Sequence, residues 1–203
     1  MTKIKFCGLR SVQDVEIANE LSPEFVGFVF ARGSRRRVSP ELAREMKNAL
    51  NPAIQAVGVF VRDDIDFVSR LLDDGIIDLA QLHGNETDDY LSALRSRSSK
   101  PIIRARSVKT GADIEAARSD SADYVLLDSG GGGTGETFDW SLLRDFDRPY
   151  FLAGGLDPEN VKKALALLNP YVADVSSGIE TDGVKDAKKM AAFVDAVRKD
   201  MVR

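Results

Sequence analysis

Eight short runs rich in β-branched and aromatic residues alternate along the chain with longer stretches of helical spacing, and this alternation constrains the fold most. The runs cover residues 4–7, 25–30, 54–61, 78–82, 102–105, 124–127, 150–153 and 172–175. Their last residues are spaced by about 24 positions on average, which accommodates a strand, a helix and two turns. Each helix therefore lets the next strand return parallel to the last.

Several helical stretches carry start signals. Ser11 with Asp14 resembles a capping box, and both Ser39-Pro40-Glu41 and Asp157-Pro158-Glu159 combine an N-cap residue with a proline at the first helical position. The last stretch, residues 186–202, is predicted to place one apolar face against the core: Met190, Phe193, Val194, Val197 and Met201.

The sequence predicts an α/β protein, a single-domain (β/α)8 TIM barrel spanning residues 1–203. This length is near the lower limit for that fold, so the loops are expected to be short. The alternative is an open doubly wound sheet, which usually has five or six strands and a glycine-rich turn after the first. Here that turn reads Cys7-Gly8-Leu9-Arg10 and lacks the glycine fingerprint, so the barrel is favoured.

The composition is that of an ordinary globular protein, and a formal net charge of −4 gives no general attraction to nucleic acid or to an anionic membrane. No apolar run approaches the roughly 20 residues that cross a bilayer, and MTKIKFCGLR does not resemble a signal peptide. We therefore expect a cytoplasmic protein. Cys7 and His83 are the only residues of their types, so neither an internal disulfide nor a metal site rich in these ligands is expected.

In a barrel the active site lies at the C-terminal ends of the strands, so the strand ends supply the candidates. Cys7 ends the first strand. A free cysteine often serves only as a small buried apolar residue. At the rim, however, the N-terminus of the following helix favours the thiolate, which makes Cys7 a candidate base. Lys5 lies one pleat deeper on the same face, where it either holds a negative charge or pairs with an acid inside the barrel.

The second strand leads into a basic run that contains Arg32, Arg35, Arg36 and Arg37. Such a run is often solvated surface, and a nucleic-acid patch is disfavoured because no aromatic residues interleave the arginines. The remaining interpretation is an anion clamp, since arginine binds carboxylate or phosphate through two parallel hydrogen bonds.

Two further strand ends carry titratable groups. His83 follows the fourth strand, where a base, a hydrogen-bond donor and a packing role all remain open. Asp128 ends the sixth strand immediately before a glycine-rich loop. A carboxyl group beneath a loop that closes over it is a candidate general acid. A helix cap is the plainer alternative, but no helix signal follows for about ten residues.

The ends of the seventh and eighth strands are small, reading Gly154-Gly155 and Ser176-Ser177-Gly178. In many barrels these two loops form a phosphate site from backbone N–H groups. Small side chains let the phosphate approach the backbone closely. The sequence therefore predicts a phosphate-binding site at this pair of loops.

The glycine-rich loop, residues 130–137, fits the nucleotide-binding pattern G-x-x-x-x-G-K-[ST] except that Glu136 stands in place of the lysine. A glutamate repels phosphate, and the loop follows the sixth strand rather than opening the fold. We therefore interpret it as a lid over Asp128, with Phe138-Asp139-Trp140 anchoring its far end.

Taken together, these strand ends resemble the phosphoribosylanthranilate isomerases of tryptophan biosynthesis. The shared motifs occur in family order over essentially the whole chain: KFCG (5–8), VGFVF (26–30), SRRRVSPE (34–41), VGVFV (57–61), QLHG (81–84), LLDS (126–129), GTGETFDW (133–140), AGGLDPENV (153–161) and DVSSGIE (174–180). The combination of KFCG, QLHG and TFDW is the most specific.

The resemblance implies an Amadori rearrangement of N-(5′-phosphoribosyl)anthranilate to 1-(2-carboxyphenylamino)-1-deoxyribulose 5-phosphate, with no metal or organic cofactor. It assigns Cys7 as the general base and Asp128 as the general acid. Arg36 matches the arginine that binds the anthranilate carboxylate, but Arg37 replaces the family's next aromatic residue, so either arginine is a candidate.

The resemblance also maps the phosphate to Gly154, Gly155, Ser177 and Gly178, and it places His83 and Asp174 among the residues that line the site. The implied partner is a small phosphorylated substrate, with no nucleic acid and no membrane, and we expect a monomer rather than a homodimer. Glu136 departs from the lysine that is frequent in the family's GTGKTFDW motif, so weaker or more salt-dependent substrate binding is expected.

Three other functions are weighed against this one. A nucleotide-binding module requires the lysine that Glu136 replaces. The related barrel isomerases of histidine biosynthesis, or a bifunctional enzyme, use an aspartate where Cys7 stands and usually have longer chains. A barrel that only binds a sugar phosphate does not require both Cys7 and Asp128.

Overall fold

Eight strands form a closed barrel in chain order in the computed structural model, which describes residues 1–129 and 139–198. The strands are β1 (Lys3–Cys7), β2 (Phe25–Val29), β3 (Gln55–Phe60), β4 (Leu79–Leu82), β5 (Ile102–Ser107), β6 (Tyr124–Asp128), β7 (Tyr150–Leu152) and β8 (Val172–Val175). All eight predicted strands are confirmed, with bounds that differ by at most two residues. The predicted barrel fold is also confirmed.

Helices and turns connect the strands. The helices are α1 (Val12–Leu21), α2 (Pro40–Ala49), α3 (Ile65–Asp73), α4 (Asp88–Arg95), α5 (Gly111–Arg118), α6 (Val161–Leu167) and α7 (Ala187–Arg198). Short 3-10 helices cover Trp140–Leu143 and Ser177–Ile179, and β9 (Glu180–Thr181) pairs with β10 (Val184–Lys185) in an antiparallel hairpin. None of the helices in the described ranges has the length and hydropathy to cross a membrane.

Two of the predicted helix starts are confirmed. The Ser39 hydroxyl accepts from the N–H of Leu42, and Pro40 opens α2. The Ser11 hydroxyl likewise accepts from the N–H of Asp14 at the start of α1. The carboxylate of Asp14 accepts from the N–H of Arg10, one residue before the cap, so the reciprocal bond of a capping box goes to a neighbouring residue.

The predicted start at Asp157-Pro158 is wrong, because α6 begins at Val161. Asp157 instead caps a turn, since its carboxylate accepts from the N–H groups of Glu159 and Asn160. The side chain of Asn160 binds the N–H of Asp157 and the carbonyl of Gly155, and these local bonds compete with helical ones.

The last helix follows the prediction. Four of the five residues assigned to its apolar face are buried: Met190, Phe193, Val194 and Val197. Met201 lies outside the described residues.

The chain divides into two compact units. The first comprises Met1–Phe6, Arg106–Asp120 and Val125–Arg203, and the second comprises Cys7–Ala105 and Ser121–Tyr124. In the first unit, Phe151 packs edge-on against Tyr171 with ring centroids 6.4 Å apart. In the second, Phe30 stacks on Phe60 at 5.3 Å. That residues 1–203 act as one domain stays a prediction.

Candidate active site

Cys7 ends β1 and belongs to the second unit. It is partly exposed, and it packs against an apolar cluster of Val29, Ala31 and Val59. A Cβ on Gly27 would lie 2.9 Å from Cys7 Sγ and 3.1 Å from Cys7 Cα. The thiol thus occupies space that a side chain at position 27 would fill.

The segment after Cys7 turns away from the strand before any helix begins. The N–H groups of Gly8 and Leu9 both donate to the carbonyl of Gly27, at 2.9 and 3.1 Å. Gly8 has a φ of 81°, a conformation that favours glycine. The first helix starts only at Val12, after its cap at Ser11.

The two arginines that are candidates for binding a carboxylate, Arg36 and Arg37, differ in burial. Arg36 is only 9% exposed, and its N–H donates to the hydroxyl of Ser34. Arg37 is exposed and forms an isolated bridge with Val29. Arg36 is therefore the arginine whose side chain the protein surrounds.

His83 follows β4, and its N–H donates to the carbonyl of Phe60 at 2.8 Å. Its ring Nδ1 lies 3.0 Å from the Nε2 of Gln81. Because an amide nitrogen only donates, this bond leaves the imidazole proton on Nε2. The side chain of Gln81 thus orients the ring of His83 at the end of β4.

Glu86 is a buried residue of this region that the sequence reasoning missed. Its carboxylate accepts from the N–H of Arg62 at 2.7 Å and from the N–H of Gly84 at 2.9 Å, joining the loops after β3 and β4. Burial raises the pKa of the Tyr90 hydroxyl, and the negative charges of Glu86 and Asp63 raise it further. No local pattern identifies such a carboxylate, because one of its two backbone partners, Arg62, lies on another loop.

In the first unit, Asp128 ends β6 and is only 6% exposed. The hydroxyl of Ser129 donates to its Oδ1 at 3.1 Å, and its carbonyl accepts from the N–H of Val108. The predicted lid over Asp128, residues 130–137 with Glu136, and the first anchor residue, Phe138, lie outside the described residues. The other anchor residues are described: Asp139 caps the 3-10 helix that Trp140 begins.

Gly154 and Gly155 follow β7, with φ values of 86° and 66° that favour glycine. A Cβ on Gly154 would lie 2.8 Å from Asp128 Oδ1 and 2.7 Å from the backbone nitrogen of Ser129. The structure therefore brings the predicted acid and the predicted phosphate loop together.

Ser177 and Gly178 form a 3-10 helix after β8. A Cβ on Gly178 would lie 2.0 Å from the carbonyl oxygen of Leu156. Only glycine permits this approach, so the loops after β7 and β8 pack directly against each other. The pairing of the two small loops that the sequence suggested is therefore present.

Asp174 lies on β8, opposite Lys5 on β1. The ammonium of Lys5 lies 3.1 and 3.0 Å from the two carboxylate oxygens, and both residues are buried. Of the two roles that the sequence left open for Lys5, the structure shows the pairing with an acid inside the barrel.

A second buried ion pair follows the β8 loop, and the sequence reasoning missed it. Lys185 on β10 donates to Glu180 on β9 at 2.8 Å and to the carbonyl of Ser176 at 2.9 Å. Asp186, the next residue, accepts from the hydroxyl of Thr181 and from the N–H of Lys189, and these bonds lower its pKa.

Among residues 1–129 and 139–198, no cluster of three or more histidine, cysteine, aspartate or glutamate side chains is placed to hold a metal ion. The strand ends of the first unit thus present a carboxyl group and two glycine-lined loops, while those of the second unit present a thiol, a buried arginine and an imidazole.

We compared the chain with known protein families and with individual relatives. Residues 4–196 match the family described as N-(5′-phosphoribosyl)anthranilate (PRA) isomerase. The N-(5′-phosphoribosyl)anthranilate isomerase of Endomicrobium trichonymphae is 44% identical over 202 residues, which cover 98% of this chain and 99% of that protein.

Solved structures give the same relationship. The phosphoribosyl anthranilate isomerase of Thermus thermophilus superimposes with a TM-score of 0.89 at 36% identity, covering 98% of this chain and 99% of that one. A phosphoribosyl anthranilate isomerase in complex with reduced 1-(o-carboxyphenylamino)-1-deoxyribulose 5-phosphate superimposes with a TM-score of 0.87 at 33% identity, covering 98% and 100%.

Proposed function

Because the chain belongs to the N-(5′-phosphoribosyl)anthranilate isomerase family, we propose that Cys7 is its general base and Asp128 its general acid. The enzyme isomerises N-(5′-phosphoribosyl)anthranilate to 1-(2-carboxyphenylamino)-1-deoxyribulose 5-phosphate in tryptophan biosynthesis, and its substrate is a small phosphorylated molecule. The assignment of roles rests on one observation. Cys7 and Asp128 are a thiol and a carboxyl group at the C-terminal ends of two strands of a closed barrel, where barrels carry their chemistry.

The proposed reaction begins with two proton transfers at the substrate and ends with a tautomerisation, in which C1′ gains a proton and the C2′ hydroxyl loses one. Asp128 donates its proton to the furanose ring oxygen, and the C1′–O bond breaks as the anthranilate nitrogen forms an imine. The thiolate of Cys7 then removes the proton from C2′, which gives an enolamine. Tautomerisation of the enolamine yields the ketone. The substrate is oxidised at C2′ and reduced at C1′, so the electrons balance within one molecule and no external oxidant or reductant is needed.

The surroundings of Cys7 support its role. The thiol is partly exposed at the strand end, while Val29, Ala31 and Val59 pack behind it. Gly27 leaves the space that the thiol occupies. This packing restricts the side chain of Cys7 to one position. Correct positioning of reacting groups accounts for a large part of catalysis.

The surroundings of Asp128 support a donor that is shielded from bulk water. The carboxyl group is 6% exposed, and the Ser129 hydroxyl donates to Oδ1. Each such proton-transfer group typically accelerates a reaction by roughly 10²–10⁴.

We propose that Arg36, rather than Arg37, binds the anthranilate carboxylate. Arg36 is surrounded by protein whereas Arg37 is exposed. A guanidinium removed from water binds a carboxylate more strongly than one in the solvent, because the competing hydration is reduced.

The phosphate is assigned to Gly154, Gly155, Ser177 and Gly178. The two loops are in contact at Gly178, and the backbone of Gly154 and Gly155 is in the left-handed region. Successive N–H groups in such a turn converge on an anion. His83 and Asp174 are proposed to line the substrate site.

We also propose that the chain acts as a single-domain monomer in the cytoplasm. Large exposed apolar side chains among the described residues are few: Met1, Val61, Leu167 and Val184. A catalytic thiol is also best kept in a reducing compartment. Sedimentation at several protein concentrations measures the mass, and coincident unfolding transitions by two probes test the single domain.

The decisive experiment follows the loss of anthranilate-type fluorescence as the substrate is converted. Cys7→Ala and Asp128→Asn should each lower kcat by roughly 10²–10⁴ while leaving the circular dichroism spectrum unchanged. Asp182→Asn, which changes the net charge identically at an exposed turn, is the matched control and should retain full activity. Full activity in Asp128→Asn would remove Asp128 as the acid.

A further inference from the structure

The β9–β10 hairpin follows the phosphate loop immediately, yet the eight-stranded barrel closes without it. Its one deeply buried cation is Lys185, whose side chain is 1% exposed. The ammonium reaches back to the carbonyl oxygen of Ser176, at 2.9 Å, in the loop that precedes the hairpin. The hairpin therefore carries a charged donor to the backbone of the phosphate loop.

Lys185 is held in place by its counter-ion. Glu180 Oε1 lies 2.8 Å from the ammonium and its side chain is 4% exposed, so neither charge is left uncompensated. The backbone carbonyl of Glu180 accepts in turn from the ammonium of Lys189, which ties the hairpin to α7. The ammonium of Lys185 is thus fixed from the hairpin side.

The carbonyl of Ser176 accepts from the ammonium of Lys185 at 2.9 Å and from the N–H of Ile179 at 3.4 Å, and these two bonds together fix the direction of the next N–H group. The carbonyl of Ser176 and the N–H of Ser177 belong to one planar trans peptide and point in opposite directions. With the carbonyl directed at Lys185, the N–H of Ser177 is directed away from the hairpin. A cation on the carbonyl oxygen also polarises the peptide, which makes its N–H a stronger donor.

We propose that Lys185, held by Glu180, is a positioning residue that aims the N–H of Ser177 at the substrate phosphate. This inference rests on the phosphate site assigned above. Gly178 also restricts the position of the loop, because its backbone packs against the carbonyl of Leu156 without room for a side chain. Lys185 acts through the peptide and makes no contact of its own with the substrate.

The test uses the whole enzyme labelled with 15N and titrated with inorganic phosphate. In the wild type, phosphate should shift the amide signals of Gly155, Ser177 and Gly178. Lys185→Met keeps the length of the side chain but removes the charge and the donors. We expect it to weaken phosphate binding and to raise KM by about tenfold each, with kcat within about twofold of the wild type.

Lys189→Met is the matched control. It removes an ammonium on α7 that binds the same hairpin, but at the carbonyl of Glu180 and not at that of Ser176. Its affinity for phosphate should stay within about twofold of the wild type. Lys185→Arg, which retains a charged donor, should recover most of the affinity that Lys185→Met loses.

The outcomes separate the two proposals. Shifts at the three amides together with unchanged phosphate affinity in Lys185→Met would overturn the role of Lys185 and leave the phosphate site intact. Absence of those shifts in the wild type would overturn the phosphate site and the inference with it. If Lys185→Met does not fold, Lys185→Gln decides, since it keeps one donor without charge: a loss of about threefold or more supports the role, and an unchanged affinity refutes it.

Discussion

Lys5 and Asp174 stand opposite each other in the register of β1 and β8, and the ammonium of Lys5 binds both carboxylate oxygens of Asp174 inside the barrel. Removal of one partner from a buried pair leaves the other charge without compensation. Lys5→Met should therefore lower the free energy of unfolding by about 3–5 kcal/mol, as measured by urea denaturation.

The double variant Lys5→Met with Asp174→Leu is the control for that loss. It removes both charges, so it should be less destabilised than Lys5→Met alone. A double variant that loses as much stability as the two single changes added together would show that the two charges are not coupled.

Arg36→Ala should raise KM by about 10- to 100-fold, because it removes a charge-assisted contact that we assign to the substrate carboxylate. Arg37→Ala is the matched control, since it deletes the same side chain at the adjacent, exposed position. Steady-state kinetics and the urea midpoint should be measured for both. An unchanged KM in Arg36→Ala would exclude Arg36 from the site, and a raised KM in Arg37→Ala alone would transfer the role.

Gly27→Ala should impair catalysis without removing any proposed catalytic group. The added Cβ would lie 2.9 Å from Cys7 Sγ, so the thiol must shift, and a misplacement of about 1 Å can cost roughly 10²-fold in rate. Gly111→Ala is the control, because a Cβ there meets nothing within 4 Å. If Gly27→Ala retains full kcat, the position of Cys7 is less constrained than the packing indicates.

Asp186→Asn should reduce the loss of folding stability that the protein shows as the pH falls into the acid range. Hydrogen bonds from Thr181, Lys188 and Lys189 lower the pKa of Asp186 in the folded state. A lowered folded pKa stabilises the protein above the unfolded value, near pH 4, and this contribution is lost as the pH falls below it. The wild type should therefore lose more stability between about pH 5 and pH 3 than Asp186→Asn does.

Thermal unfolding at each pH measures this difference. Asp182→Asn serves as the control for net charge, because Asp182 lies at the exposed turn of the hairpin that precedes Asp186. If the wild type and Asp186→Asn lose the same amount of thermal stability between about pH 5 and pH 3, the prediction is contradicted.

The strands were predictable because their periods and compositions are local properties of the sequence. The positions of Cys7 and Asp128 at strand ends followed from the same pattern, since a parallel barrel places function at those ends. The burial of Arg36 relative to Arg37 did not follow, because two adjacent arginines have the same local signal. Packing against distant parts of the chain distinguishes them.

The β9–β10 hairpin was missed for a different reason. Each of its strands has two residues, too few to show a period of two. The bond from Lys185 to Ser176 spans nine positions and ends on a backbone carbonyl, which has no signature in the sequence. The start of α6 was misplaced because Asn160 redirects the local hydrogen bonds after a typical cap-and-proline signal.

Gly154 also limits which mutations this enzyme can accept during evolution. Its missing side chain accommodates Asp128 on one side, while its left-handed backbone shapes the proposed phosphate turn on the other. A mutation at this position is therefore expected to alter the proposed proton donation and the proposed phosphate binding together. The loop after β8 does not carry this double constraint, because Gly178 is restricted by Leu156 and Asp157 and not by the proposed acid.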